Sequence, residues 1–104
     1  MSPALISPAA RKEIKRRWQM LQTDANEIVA DRFLSAVMET SARLQQFPQT
    51  GTLCNVSSPL LSEIRRFPLT LPFGNWLIIY SVSPEGIVIL RVLHGAQNWQ
   101  RLFP

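Results

Sequence analysis

The chain contains a single cysteine, Cys54, and a single histidine, His94. A lone thiol excludes an internal disulfide and fits a reducing cytoplasm. One His and one Cys on different elements make no zinc ligand set, so no metal is expected. The four glycines, Gly51, Gly74, Gly86 and Gly95, are isolated at turns or strand ends. That pattern excludes a glycine-rich phosphate cradle, and no cofactor is expected. Of the seven carboxylates only Glu63 and Glu85 lie in the strand-rich second half, which disfavours a Ser-His-Asp arrangement around His94. No apolar run approaches the roughly 18 residues of a membrane span. The opening Met1-Ser-Pro-Ala-Leu-Ile-Ser-Pro lacks the charged-then-apolar pattern of a secretory signal. A soluble, cytoplasmic protein is expected, and 104 residues are enough for one domain, 1–104, but too few for two.

The charge present is unevenly placed. Arg11, Lys12, Lys15, Arg16 and Arg17 against Glu13 account for the entire net charge of +4, because the remaining basic and acidic residues cancel. A solvated helix face would explain such a cluster, and so would an acidic partner.

Leu5-Ile6 reads as a short first strand, ended by Ser7-Pro8, where Ser can cap a helix and Pro can open it. Ala10, Ile14, Trp18 and Leu21 then recur on one face while Arg11, Lys12, Lys15 and Arg16 project from the other, and Arg17 falls beside the apolar arc. Asp24 with Glu27 has the form of a capping box for a second helix. Val29, Phe33, Ala36, Val37, Leu44 and Phe47 make its apolar stripe, closed by Pro48 and Gly51. So short a connection predicts an antiparallel helical hairpin. From Thr50 to Ser62 the polar composition predicts a surface loop holding Cys54. Glu63–Leu71 reads as a strand that Pro68 and Pro72 confine to an edge or cut short. Trp76–Val82 and Ile87–Leu93 flank the turn Ser83-Pro84-Glu85-Gly86 and should form a hairpin. Their nearly continuous apolar character implies two covered sheet faces, one beneath the helices and the other a candidate partner surface. A short turn or helix is expected at Asn98–Phe103. The class is α+β: a strand, a helical hairpin, then a three-stranded, mostly antiparallel sheet.

The chemistry-bearing candidates cluster late in the chain. RNA cleavage needs proton transfer beside positive charge on a phosphate, which His94 with Arg65, Arg66 and Arg91 could supply. Strand parity divides the set. Arg91 and His94 point to opposite faces unless the strand ends or bulges between them, and Arg65 and Arg66 also oppose each other. The bland alternatives are a His94 that ends the strand through backbone bonds, and an Arg91 held among Ile87, Ile89 and Leu93 by a carboxylate. Trp18 and Phe33 sit at core spacing; Trp99 either packs back over the hairpin or stacks on a partner.

Ser7-Pro8-Ala9-Ala10 before a basic helix, Asp31-Arg-Phe-Leu34, Leu44-Gln-Gln-Phe-Pro48 with Gly51, Ile64-Arg65 before Phe67-Pro68, Trp76-Leu-Ile-Ile-Tyr80 and Ile89-Leu-Arg-Val-Leu-His-Gly95 follow one another in a recognisable order. This succession resembles the ParE branch of the ParE/RelE toxin superfamily across nearly the whole chain. The resemblance implies a bacterial toxin with the RelE/ParE fold, neutralised by a cognate antitoxin whose acidic C-terminal segment wraps it, and meeting operator DNA only through that antitoxin. ParE-type toxins poison DNA gyrase, whereas RelE-type toxins cleave mRNA on the ribosome. Two departures disfavour the nuclease: Gln97 stands where the family often has Arg, and the tail lacks the terminal Tyr of several RelE-type nucleases. The expectation is therefore inhibition by contact, without catalysis, with Arg65, Arg66, Arg91, Gln97, Trp99 and Arg101 as contacts to target or antitoxin. A ribosome-dependent endoribonuclease using His94, Arg65 and Arg91 is the alternative, and a decayed toxin that only binds antitoxin is a third. The Leu-Pro-Phe between Phe67 and Trp76 lengthens one connection beyond the family pattern.

Overall fold

The computed structural model describes residues 4–54 and 63–95. Strand β1 (Leu5–Ile6) leads into helix α1 (Pro8–Asp24). The Ser7 hydroxyl serves both, accepting from the Ala10 N–H at 3.1 Å and donating to the Leu90 carbonyl at 2.7 Å. Helix α2 (Glu27–Gln46) follows after two residues. Its cap is not the Asp24–Glu27 box: α1 runs on through Asp24, and the Asn26 side chain accepts from the Val29 N–H at 2.9 Å instead. The ring of Phe47 does not join the core stripe. The backbone leaves helical geometry at that residue, which is 57% exposed.

Strand β2 (Thr52–Leu53) lies within the segment expected to be loop, and Cys54 beyond it is buried. The expected loop from 55 to 62 and the turn or helix at 98–103 fall outside the described residues. Strands β3 (Ile64–Pro68), β4 (Trp76–Ser83) and β5 (Gly86–His94) complete a five-stranded sheet in the order β1-β5-β4-β3-β2, antiparallel except for β1 against β5. It thus has two more strands than the three-stranded sheet expected after the helices. One of the two is the short first strand read at Leu5–Ile6, which joins the sheet beside β5; the other, β2, is two residues long and has no periodicity to read. β3 is therefore not an edge strand but one cut short, ending at Pro68 well before Leu71. Pro68 is tolerated because Leu69 N–H bonds to β4, so by alternation the Pro68 nitrogen faces the opposite side, past the end of β2.

The β4–β5 hairpin turns through Pro84-Glu85, with Gly86 at φ +135°, a conformation that a side chain would oppose. Register slips once, because Ile79 pairs with Arg91 and Tyr80 with Ile89, leaving Leu90 as the extra residue of a bulge. Ile78, Tyr80, Ile87, Ile89 and Val92 pack with Phe33, Val37 and Leu44 beneath the helices. Phe33 meets Phe73 and Trp76 edge-on at 5.5 and 5.7 Å, so the lengthened connection contributes a ring to the core while Leu71 stands 87% exposed.

On the other sheet face Ile64, Ile79 and Leu93 form a second cluster with Cys54, each no more than 5% exposed, so the centre of that face is covered, as the apolar runs imply.

Tyr80 and Gly51 join the two halves. The phenol donates to the Pro48 carbonyl at 2.7 Å and accepts from the Gly51 N–H at 2.9 Å. A Cβ on residue 51 would lie 2.5 Å from that oxygen and 2.8 Å from the Arg66 carbonyl. Gly51→Ala is expected to destabilise the fold by about 1–3 kcal/mol, measurable by urea denaturation. Burial raises the pKa of Tyr80 above the ordinary 10.0, against a weaker opposing pull from the Gly51 hydrogen bond. The folded state therefore holds this proton more tightly than the unfolded one. The tyrosine contribution to stability is intact below pH 10 and lost as pH rises through the folded-state value. As this is the only tyrosine, its absorbance should titrate above 10 in the folded protein and near 10 in urea.

Candidate partner-binding site

The closing strand is held from outside the sheet. β1 pairs with β5 only at Val88 and Ile89, which leaves the polar groups beyond the bulge without a strand partner on that side. Helix α1 supplies the missing partners. Ser7 takes the Leu90 carbonyl, and the Glu13 carboxylate accepts the Val92 N–H at 3.0 Å. Arg91 completes the junction with Nε 3.0 Å from both Glu13 oxygens and Nη2 2.6 Å from Oε2. The bidentate pair raises the already high pKa of Arg91. Of the two readings of Arg91, a side chain held by a carboxylate is the one observed.

His94 stands elsewhere. It pairs across the sheet with Trp76, and the two rings meet edge-on at 5.5 Å. Arg91 pairs with Ile79, and the bulge lies before both residues, so it does not bring Arg91 and His94 to one side of the strand. Arg65 and Arg66 divide in the same way, opposite Tyr80 and Ile79 respectively. Arg65 binds Glu63 at 2.5 Å and the Gly51 carbonyl at 2.6 Å, bracing the turn before β2. Arg66 and Arg91 share one cross-strand row with Ile79 between them. Gln97, Trp99 and Arg101 lie outside the described residues.

Two features were missed by the residue patterns. Between α1, α2 and β1 runs a groove of about 400 Å³, lined by Ile6, Ile14, Trp18, Leu34, Val37 and Met38. Arg11 and Lys15, both exposed, complete it. Trp18, assigned to the core by its spacing, is only partly buried and donates its indole N–H to Asp31 at 3.3 Å. The second feature is Arg17, whose guanidinium lies 4.9 Å from the centre of the Trp76 ring. Its place beside the apolar arc was the visible sign, as was Glu13, the one acid in a basic run.

A helical hairpin over one face of a mostly antiparallel sheet, with a basic first helix along the open edge, defines a small α+β protein. Residues 4–99 match the family model of the ParE toxin of type II toxin-antitoxin system, parDE, and the chain belongs to that family. A chain of the chromosomal ParDE TA system from P. aeruginosa shares the fold, with a TM-score of 0.64 and 18% sequence identity over 88% of this chain and 96% of that one. No curated protein matches the sequence. Among the described residues no helix is long and apolar enough to cross a membrane.

Glu13→Ala leaves the Val92 N–H and the Arg91 guanidinium without their acceptor. Because Arg91 is 29% exposed, water compensates part of the charge, and most of the expected loss of about 1–3 kcal/mol comes from the strand N–H. A double-mutant cycle with Arg91→Met, read by denaturation, separates the two terms.

Proposed function

We propose that the chain is the toxin of a type II toxin–antitoxin pair, that it acts by binding DNA gyrase, and that an acidic, amphipathic antitoxin segment silences it. The observation that carries antitoxin binding is the groove between α1 and α2. An amphipathic helix can lay its apolar face on Ile14, Leu34 and Met38, the last 62% exposed, while its acids meet Arg11 and Lys15. Those cations belong to the segment that holds the whole charge excess of the chain. Operator DNA would be reached only through the antitoxin. Arg65, Arg66 and Arg91, with Gln97, Trp99 and Arg101 in the tail, are the proposed contacts to gyrase or antitoxin.

Inhibition by contact is favoured over RNA cleavage by the separation of the needed groups. A nuclease needs a proton-transferring side chain next to the cations that hold the phosphate. Here His94 lies beside Trp76, Arg91 is bound to Glu13, and Arg65 braces a turn. The row Arg66–Ile79–Arg91 is the one feature that favours a ribosome-dependent endoribonuclease, since two guanidiniums flank one position of the sheet.

The purified chain at stoichiometric excess should inhibit supercoiling by gyrase or stabilise its cleavage complex, and His94→Ala should leave that activity intact. Gyrase left unaffected, together with mRNA cut during translation and protected by His94→Ala, would reverse the order of the two readings. Met38→Glu, which sets a carboxylate in the apolar groove, is expected to weaken antitoxin binding by about tenfold or more without unfolding the protein, as titration calorimetry would show.

A further inference from the structure

Glu13, Arg16, Arg17 and Met20 lie at helical spacing on one face of α1, and that face is not the one that lines the groove. It meets Trp76 of β4 and Val92 and Leu93 of β5 around a cavity of about 280 Å³. Arg17 stacks on Trp76 there. Stacking steadies a guanidinium but supplies no acceptor for its N–H groups. The Arg17 Nε is buried and has no hydrogen-bond partner among the described residues.

The chain offers this pair of cations no acidic side chain. All seven carboxylates fall within the described residues, and neither ion pair found there involves Arg16 or Arg17. Of the two acids on this face, Asp24 lies one turn beyond Met20 and is in neither ion pair, and Glu13 already has both oxygens on Arg91 and one of them also on the Val92 N–H. The Glu13–Arg91 pair is neutral as a unit, so the cavity keeps the two positive charges of Arg16 and Arg17 beside an apolar wall of Met20, Trp76, Val92 and Leu93.

We infer that this pocket receives a carboxylate on an aliphatic stem, namely a glutamate or aspartate side chain of a protein partner. The planar carboxylate matches the planar donor edge of a guanidinium, and its acceptors offset the cost of a dry Nε once the Arg17 side chain adjusts to meet them. The stem suits the apolar wall. A phosphodiester would leave strongly hydrated oxygens against Met20, Val92 and Leu93 without donors. That the partner is the antitoxin rests on the function proposed above; the chemistry of the pocket does not.

The test uses the intact chain in solution, titrated with sodium butyrate and, at matched ionic strength, with sodium chloride and sodium phosphate. The arginine Nε–H and tryptophan indole resonances are followed by NMR. Butyrate should shift Arg17 and Trp76 in a saturable way that chloride does not reproduce. Arg17→Met and Arg16→Met, which keep the stems, should abolish or strongly weaken that response in a protein whose spectrum stays dispersed. Lys12→Met removes the same charge from the same helix outside the pocket and should leave it unchanged. No saturation with butyrate, or an unaltered response in both arginine variants, overturns the site, and tighter binding of phosphate overturns the carboxylate assignment. In a second arm the cognate antitoxin is bound to wild type and to Arg17→Met, with a loss of about tenfold expected for the variant. Equal affinity removes the antitoxin as occupant. If wild type binds no antitoxin while butyrate still saturates, the proposed function fails and the pocket stands.

Discussion

One carboxylate organises this molecule. Strand β5 outruns its short parallel neighbour, and a sheet edge that ends in unpaired N–H groups either attracts another strand or must be capped. Glu13 does the capping and, by the same two oxygens, binds Arg91. The position of α1 along the edge follows from that junction together with the Ser7 bonds to Leu90. The two surfaces proposed for recognition follow from the position of α1. On one side its apolar face and α2 enclose the groove; on the other, Arg16 and Arg17 come to rest against Trp76 and the end of β5.

A second junction, centred on Tyr80, performs the same task at the far edge. The phenol gathers the Pro48 carbonyl and the Gly51 N–H, Arg65 clasps the Gly51 carbonyl, and Glu63 orients Arg65. These bonds return the chain from α2 into β2, which covers part of β3. Two arginines that invite a functional reading, Arg65 and Arg91, are thus fastened by acids in the two junctions. In Arg16 and Arg17, by contrast, the basic helix keeps cations for which the chain supplies no acid, and they border a cavity with apolar walls.

Much of the architecture was legible in the residues. Ser7-Pro8, the spacing of Ala10, Ile14 and Leu21, the stripe from Val29 to Leu44, and the turn Ser83–Gly86 each encode their element locally, through capping, a 3.6-residue period or a permitted positive φ. Strand parity also separated Arg91 from His94 correctly. The misread features share a cause. β2 is two residues long, the helix end at Gln46 excludes Phe47 from the core, and the boundary between the helices falls two residues later than the Asp24–Glu27 pattern implies. The first depends on pairing with β3 and the other two on where the chain is capped or broken, at Asn26 and before Pro48, and none on a periodic signal.

The sequence by itself determined the family, the α+β class, the helical hairpin, the β4–β5 turn and the concentration of charge in residues 11–17, because these depend on near neighbours in the chain or on composition. Only the tertiary structure decided which charges are spent and which remain. Glu13 and Arg91 are 78 positions apart, and they meet because β1 stops short, Leu90 bulges and α1 lies along the exposed edge. No local pattern states where a sheet edge lacks a partner. Yet that absence recruits Glu13, the one acid within the basic run 11–17, and leaves Arg16 and Arg17 outside both ion pairs.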